Sequence, residues 1–144
     1  MINRRNFIKT LSALGISFPV MGGNVARSKT AVKKNNPVII CSRGENWGRK
    51  ALKPGWDILS SNGALLDAVE KSANVTELDP GDTSVGYGGL PNERGVVQLD
   101  ASIMYGPTHN CGSVAALEGI KTPCSVARLV MERTDHIHIV GKGA

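Results

Sequence analysis

Residues 82–104, DTSVGYGGLPNERGVVQLDASIM, constrain the fold more than any other stretch, because three glycines, a turn and a strand-like run follow one another almost without spacer. Gly86, Gly88 and Gly89 surround Tyr87, and glycines this dense let a backbone take positive φ and approach another group closely. They are read as a structural glycine loop. Leu90-Pro91-Asn92-Glu93 reads as a turn with proline at its second position, closed by Gly95. From 96 to 104 the side chains then divide by twos. Val97, Leu99, Ala101 and Ile103 face one way, and Val96, Gln98, Asp100, Ser102 and Met104 the other. This predicts a half-buried strand with one buried-looking acid. Asp100 has two readings, a functional carboxylate or a structural acid that pairs backbone amides at a strand end.

The chain's 144 residues suit one domain, long enough to bury about two-thirds of its unfolded surface. Its net charge of +5 misleads. Residues 1–34 hold seven of the 17 basic residues and no acid, which leaves ten basic against twelve acidic residues, a net −2, in 35–144. The basic balance thus belongs to the leader and does not argue for nucleic acid as a partner. In that leader, Asn3-Arg4-Arg5-Asn6-Phe7-Ile8-Lys9 precedes a mildly apolar run over 10–22, the pattern of a twin-arginine export signal; a basic amphipathic start is the bland alternative. The apolar run is too short to span a membrane, and with no cysteine nearby a lipid anchor is not expected. The expectation is periplasmic or secreted, with 1–34 a signal and basic linker and 35–144 the folded part.

Cys41, Cys111 and Cys124 are too few to define a disulfide framework. One disulfide is open to them in an exported protein; buried free thiols are the default reading.

After the Asn35-Asn36-Pro37 break, Val38-Ile39-Ile40-Cys41 is a continuous apolar run that predicts a strand buried on both faces, followed by a loop over 42–47, SRGENW. Pro54-Gly55 is expected to start a short helix over 56–61 that Asn62-Gly63 stops. The better helix spans 64–77, with Leu65, Leu66, Val69 and Ala73 on its apolar side and Asp67, Glu70 and Lys71 on the other. Beyond the central stretch, Tyr105-Gly106-Pro107 reads as a turn and NCGSVAAL over Asn110–Leu117 as a small-residue strand. Thr122-Pro123 caps a helix that buries Val126, Leu129 and Val130, and 136–140 alternates again as a strand.

Other chemistry is poorly matched. His136 and His138 share a strand face and His109 lies two residues before Cys111, but neither pair has a recognised metal-ligand spacing or an orienting third group for a thiol nucleophile. The glycine loop lacks GxxxxGK[ST] and does not run from a strand into a helix as a phosphate cradle would. No metal and no cofactor is expected.

VGYGGLPNERGVVQLDASIM, followed by GSVAALEGIKTPCSVARLVMERT and HIHIVGKGA, resembles the amino-terminal half of the glycosylasparaginases, within the wider family of threonine-type asparaginases and aspartylglucosaminidases. The resemblance runs from about Pro37 to the last residue. It implies an α/β (α+β) fold, the amino-terminal portion of the family's four-layer αββα sandwich, here incomplete. It also implies a precursor that cuts itself in a His-Asp-Thr sequence. The new terminal threonine then attacks the side-chain amide of an asparagine-type substrate, using its own α-amino group as base.

This sequence contains no His-Asp-Thr. Asp82-Thr83 lies in the approach to the glycine loop rather than at a processing site, and Thr134-Asp135-His136 has the right residues in reverse. No catalytic residue is therefore carried over. The expectation is a chain inactive alone, lacking the second (β) subunit and belonging to an oligomer of α/β units. Where the family strand ends in a Thr-Trp pair whose indole lines the substrate pocket, this chain has Ser42-Arg43, and Trp47 follows. Trp47 is the candidate substrate-binding residue, with a plain packing aromatic as the alternative. Tyr105 and Lys142 stand where the family commonly has acids. A non-catalytic exported α/β fragment that pairs with a second subunit or another protein is the competing reading.

Overall fold

The computed structural model describes residues 36–144. The expected export signal over 1–34 lies outside the described residues. Helix α1 (Glu45–Ser60), helix α2 (Leu65–Glu77), strand β1 (Leu99–Tyr105), strand β2 (Asn110–Leu117), helix α3 (Pro123–Arg133) and strand β3 (His138–Val140) follow in that order. Among the described residues there is one three-stranded sheet of order β1-β2-β3, antiparallel between β1 and β2 and parallel between β2 and β3. The parallel pair is joined through α3, a β-α-β crossover.

Helices α1 and α2 form a hairpin because α1 ends on a left-handed residue. Asn62 has φ 59°, its N–H reaches the carbonyl of Leu59 at 3.1 Å, and Gly63 N–H reaches Ile58 at 2.8 Å. That pair of bonds is the Schellman arrangement, in which asparagine tolerates the turn and the last carbonyls find donors. The predicted start of this helix is corrected. It begins at Glu45 and runs through Pro54 and Gly55. Tertiary packing overrides the breaker: Gly48, Ala51 and Gly55 are the buried residues of α1, and Gly55 lies against Ala68 and Ser72 of α2. A Cβ on Gly55 would overlap the Ser72 hydroxyl and crowd the Ala68 carbonyl, so the close approach needs glycine.

The same close approach revises the buried face of α2. Ala68, Ser72, Thr76 and Glu77 are buried, whereas Leu65 and Val69 are half exposed. Small residues win the interface since they let the axes come near, and the larger apolar side chains are displaced to its margin. On α3 the buried set is Pro123, Cys124, Ala127 and Val130, and Leu129 is half exposed.

The core joins Ile103, Val114 and Leu117 of the sheet to Cys124, Ala127 and Val130 of α3. Gly112 belongs to the same contact: a Cβ there would overlap the Ala127 carbonyl, so only glycine lets α3 lie this close on β2. Over 99–104 the alternation is as expected, with Leu99 and Ile103 buried and Ser102 and Met104 exposed, but Asp100 is exposed rather than buried. Residues 96–98 are outside the strand, and the chain turns at Asn92–Gly95, two residues later than the proline suggests. Asn92 itself directs that turn, its side-chain oxygen accepting the N–H groups of Arg94 and Val96.

The expected strand over 38–41 is corrected. Residues 36–41 have no strand pairing, and Val38 and Ile40 are 78% and 85% exposed. No neighbouring strand among the described residues offers them a ladder, and a lone extended segment cannot bury two faces.

Candidate functional site

The candidate site lies where residues 42–47 meet the approach to the glycine loop. Arg43 precedes α1. Its Nη1 donates to Asp82 Oδ2 at 2.6 Å and its Nη2 to Ser84 Oγ at 2.6 Å. Asp82 Oδ1 accepts the Ser84 N–H at 2.9 Å and also the Ser84 hydroxyl, so the three side chains close a ring of hydrogen bonds. The side chain of Asp82 is 9% exposed and that of Arg43 34%. The hydroxyl and N–H of Ser84, and then the guanidinium of Arg43, hold the Asp82 carboxyl below its ordinary range.

Trp47 is in the first turn of α1 rather than in a loop, because the helix begins two residues earlier. Its ring carries Lys50 Nζ 4.3 Å from the centroid, a cation–π contact, and its indole Nε1 is buried without a partner among the described residues. A cavity of about 270 Å³ is lined by Arg43, Trp47, Asp79, Gly81 and Asp82. A larger one, about 510 Å³, has Arg43, Ser84 and Gly86 in its wall together with Glu77, Leu99 and Asp100. Arg43 is thus shared by both, whereas Trp47 and Gly86 do not line the same space.

The glycine loop packs rather than cradles. Gly86 has φ 63° and a Cβ there would overlap the Glu77 backbone at the end of α2. One on Gly88 would overlap the Asp82 carbonyl, and one on Gly89 would press on Leu99 and Val97. The loop therefore ties the end of α2 to the start of β1. Thr83 is exposed, and its carbonyl accepts the Leu90 N–H at 3.2 Å.

Asp100 takes the structural role. Between Leu99 and Ala101 the pairing register shifts, with Leu99 opposite Leu117 but Ala101 opposite Val114, so β2 bulges at Ala115 and Ala116. Ala116 has φ 50°, and its N–H is taken by Asp100 Oδ1 at 2.8 Å.

Glu77 was read only as the end of a helix, and it does more. It is 5% exposed, and its Oε1 accepts the Cys124 N–H at 2.9 Å, capping α3 where the side chain of Thr122 makes no capping bond. Asn74 Nδ2 donates to its other oxygen at 2.8 Å. Burial raises the Glu77 carboxyl above its ordinary value, against these two hydrogen bonds. The sequence signal was an acid in the last turn of α2, where the helix dipole disfavours it and a partner elsewhere is needed. Nearby, Arg128 binds Asp67, Glu70 and Glu132 at 2.6–2.7 Å and joins α3 to α2. Burial pushes Glu70 up, but the hydrogen bonds from Ser125 and Arg128 outweigh it and leave the group below its ordinary value.

The three cysteines are free, and the buried-thiol expectation holds for Cys124 alone. Cys41 is exposed and Cys111 half-buried, because the segment before α1 is uncovered and Cys111 opens toward the free face of the sheet. Burial, then the Glu77 carboxylate, pushes the Cys124 thiol up to about 11. On that free face His138 Nδ1 lies 2.7 Å from Ser113 Oγ. Among the described residues no group of three metal-ligating side chains gathers, and no helix is long and apolar enough to cross a membrane.

Comparison with known proteins gives a family match. The asparaginase family model matches residues 25–144. An N(4)-(beta-N-acetylglucosaminyl)-L-asparaginase of Elizabethkingia miricola is 44% identical over 146 residues, covering 99% of this chain and 42% of the relative. An isoaspartyl peptidase/L-asparaginase of Rattus norvegicus is 42% identical over 95 residues, 66% of this chain and 28% of its own length. A plant-type L-asparaginase of Pyrococcus abyssi is 46% identical over 96 residues, 67% and 31% respectively. The chain thus spans less than half the length of these relatives.

Proposed function

This chain belongs to the asparaginase family, and we propose from that premise that it supplies the amino-terminal part of an amidohydrolase that cleaves the side-chain amide of asparagine-type substrates, glycosylated asparagine first among them. The observation that carries the reading is the 44% identity, over 99% of the chain, with a relative named as an N(4)-(beta-N-acetylglucosaminyl)-L-asparaginase.

In this reading the nucleophile is a threonine released by self-cleavage of sequence that follows these residues. Its hydroxyl attacks the amide carbon, its α-amino group takes the proton, the amine leaves, and water hydrolyses the aspartyl ester. The oxyanion of each tetrahedral intermediate needs preorganised donors, which the same following part supplies. These 144 residues contribute sheet, helices and one wall of the pocket. Trp47 is the proposed wall: it lines a cavity beside Asp82, and its indole N–H has no partner among the described residues. Gly86, Gly88 and Gly89 serve structurally, by holding β1 against α2. A second sheet facing the exposed side of β1 and β2 would complete the four-layer sandwich, with a β subunit as its source and α/β units as the assembling species. Residues 1–34 are proposed to direct export to the periplasm or beyond.

A non-catalytic fragment that pairs with a second subunit is the alternative, favoured by the exposed sheet residues Ser102 and Met104. One assay separates the two. Glycosylasparagine and L-asparagine are offered to the 144-residue chain and to the chain extended through the following reading frame. The proposal expects no turnover from the chain alone, and turnover plus a new amino-terminal threonine by mass spectrometry from the extended protein. Turnover by the chain alone would sink the nucleophile assignment, and an inert, unprocessed extended protein would favour the alternative.

A further inference from the structure

Residues 36–43 touch α1 through Ile39, beside Gly55, and Cys41, beside Gly48. They pair with no strand, and among the described residues the hydrogen bonds that tie them to the remainder are the two from Arg43 to Asp82 and Ser84. Arg43 holds this tie next to the start of α1, whose first bond runs from Gly48 N–H to the Gly44 carbonyl at 2.7 Å. The first turn of that helix carries Trp47.

We propose that Arg43 is a positioning residue, a latch whose double bond to Asp82 and Ser84 fixes where α1 begins and thereby where the Trp47 indole stands in the cavity it shares with Arg43, Asp79, Gly81 and Asp82. The inference rests on the proposed function only in its kinetic consequence; the latch itself rests on geometry.

The physical reason lies in the shape of the guanidinium. Its planar fork directs two N–H groups to two acceptors at once, and each contact fixes an angle as well as a distance. Asp82 is in turn held by two bonds from Ser84, so the latch closes onto a backbone segment that the Gly86–Gly88 turn has already immobilised against Glu77. A lysine would keep the charge and lose the fork. A residue unable to donate would leave Asp82 and Ser84 bonded to each other and residues 36–43 free of both.

Two measurements test this. In the 144-residue chain with Trp56→Phe, Trp47 is the single remaining tryptophan, and acrylamide quenching of its fluorescence reports how well the indole is held. Arg43→Ala is expected to raise the quenching constant about twofold or more and Arg43→Lys to fall between, since one point charge replaces a two-pronged contact. Asp82→Asn serves as the second variant should Arg43→Ala fail to unfold cooperatively. Unchanged quenching in a variant that still unfolds cooperatively overturns the latch, because a role in stability alone would leave the folded-state signal where it was. In the extended, processed protein, Arg43→Ala is expected to raise KM for glycosylasparagine about tenfold and to leave kcat within about twofold, the signature of lost binding geometry rather than lost chemistry. An unchanged KM overturns the kinetic consequence. If the unsubstituted processed protein turns over no substrate, the proposed function fails while the quenching result still decides the latch.

Discussion

The region built from β1, β2, α2 and α3 and the region that precedes α1 differ in how they satisfy themselves. In the first, elements hold one another: Val114 meets α3, Glu77 of α2 caps α3, and Arg128 of α3 binds two acids of α2. In the second, Val38 and Ile40 face solvent, Ile39 alone of that apolar run is half-buried, and a single arginine makes the hydrogen bonds. Apolar composition alone does not bury a segment. Burial needs a neighbour whose backbone and side chains can accept it, and only the first region has such a neighbour among these residues.

Gly112→Val should widen this contrast most. The added side chain would drive α3 from β2 at the Ala127 carbonyl, and a loss of about 3 kcal/mol is expected from urea unfolding. A loss below about 1 kcal/mol would mean that α3 is not seated on β2 as described.

Glu77→Ala comes next, at about 2 kcal/mol, since it leaves the buried Cys124 N–H without an acceptor. The pH dependence gives this residue a signature of its own. Its folded carboxyl titrates above the ordinary value of 4.5, so the folded state favours the protonated form, and its contribution declines as pH rises from there through the raised value. Glu70 behaves oppositely: its contribution is full above 4.5 and is lost as pH falls through its depressed value. Stability measured between pH 4 and 7 should therefore fall less with rising pH in Glu77→Gln than in the unsubstituted protein. An identical profile would place Glu77 in water.

The smallest effect is expected at the other end of the comparison. Ile40→Ser, at a side chain 85% exposed, should change the unfolding free energy by less than about 0.5 kcal/mol. A cost of about 2 kcal/mol or more would break the contrast and restore the buried strand that the apolar run at 38–41 suggests.

Asn110–Leu117 was legible to the residue, because a run of small and β-branched residues between a turn and a Thr-Pro helix start admits few alternatives. Which backbone each glycine of the loop touches was not. The start of α1 was misread: a Pro-Gly pair is a strong local signal, and the packing of Gly55 that overrides it has meaning only once α2 lies against it. In the candidate site, Trp47 was visible as an aromatic near a departure from the family pattern. The roles of Arg43 and Glu77 were not, because their partners are 39 and 47 residues away.

By itself, then, the sequence determined the local periodicities, the turn chemistry and the family, since each is written in neighbouring residues or in a motif read whole. The tertiary structure decided which of two plausible faces is buried, which acid caps which helix, and where an arginine's fork finds its acceptors. Those outcomes depend on distances between segments remote in the chain, and burial and hydrogen bonding respond to distance rather than to order.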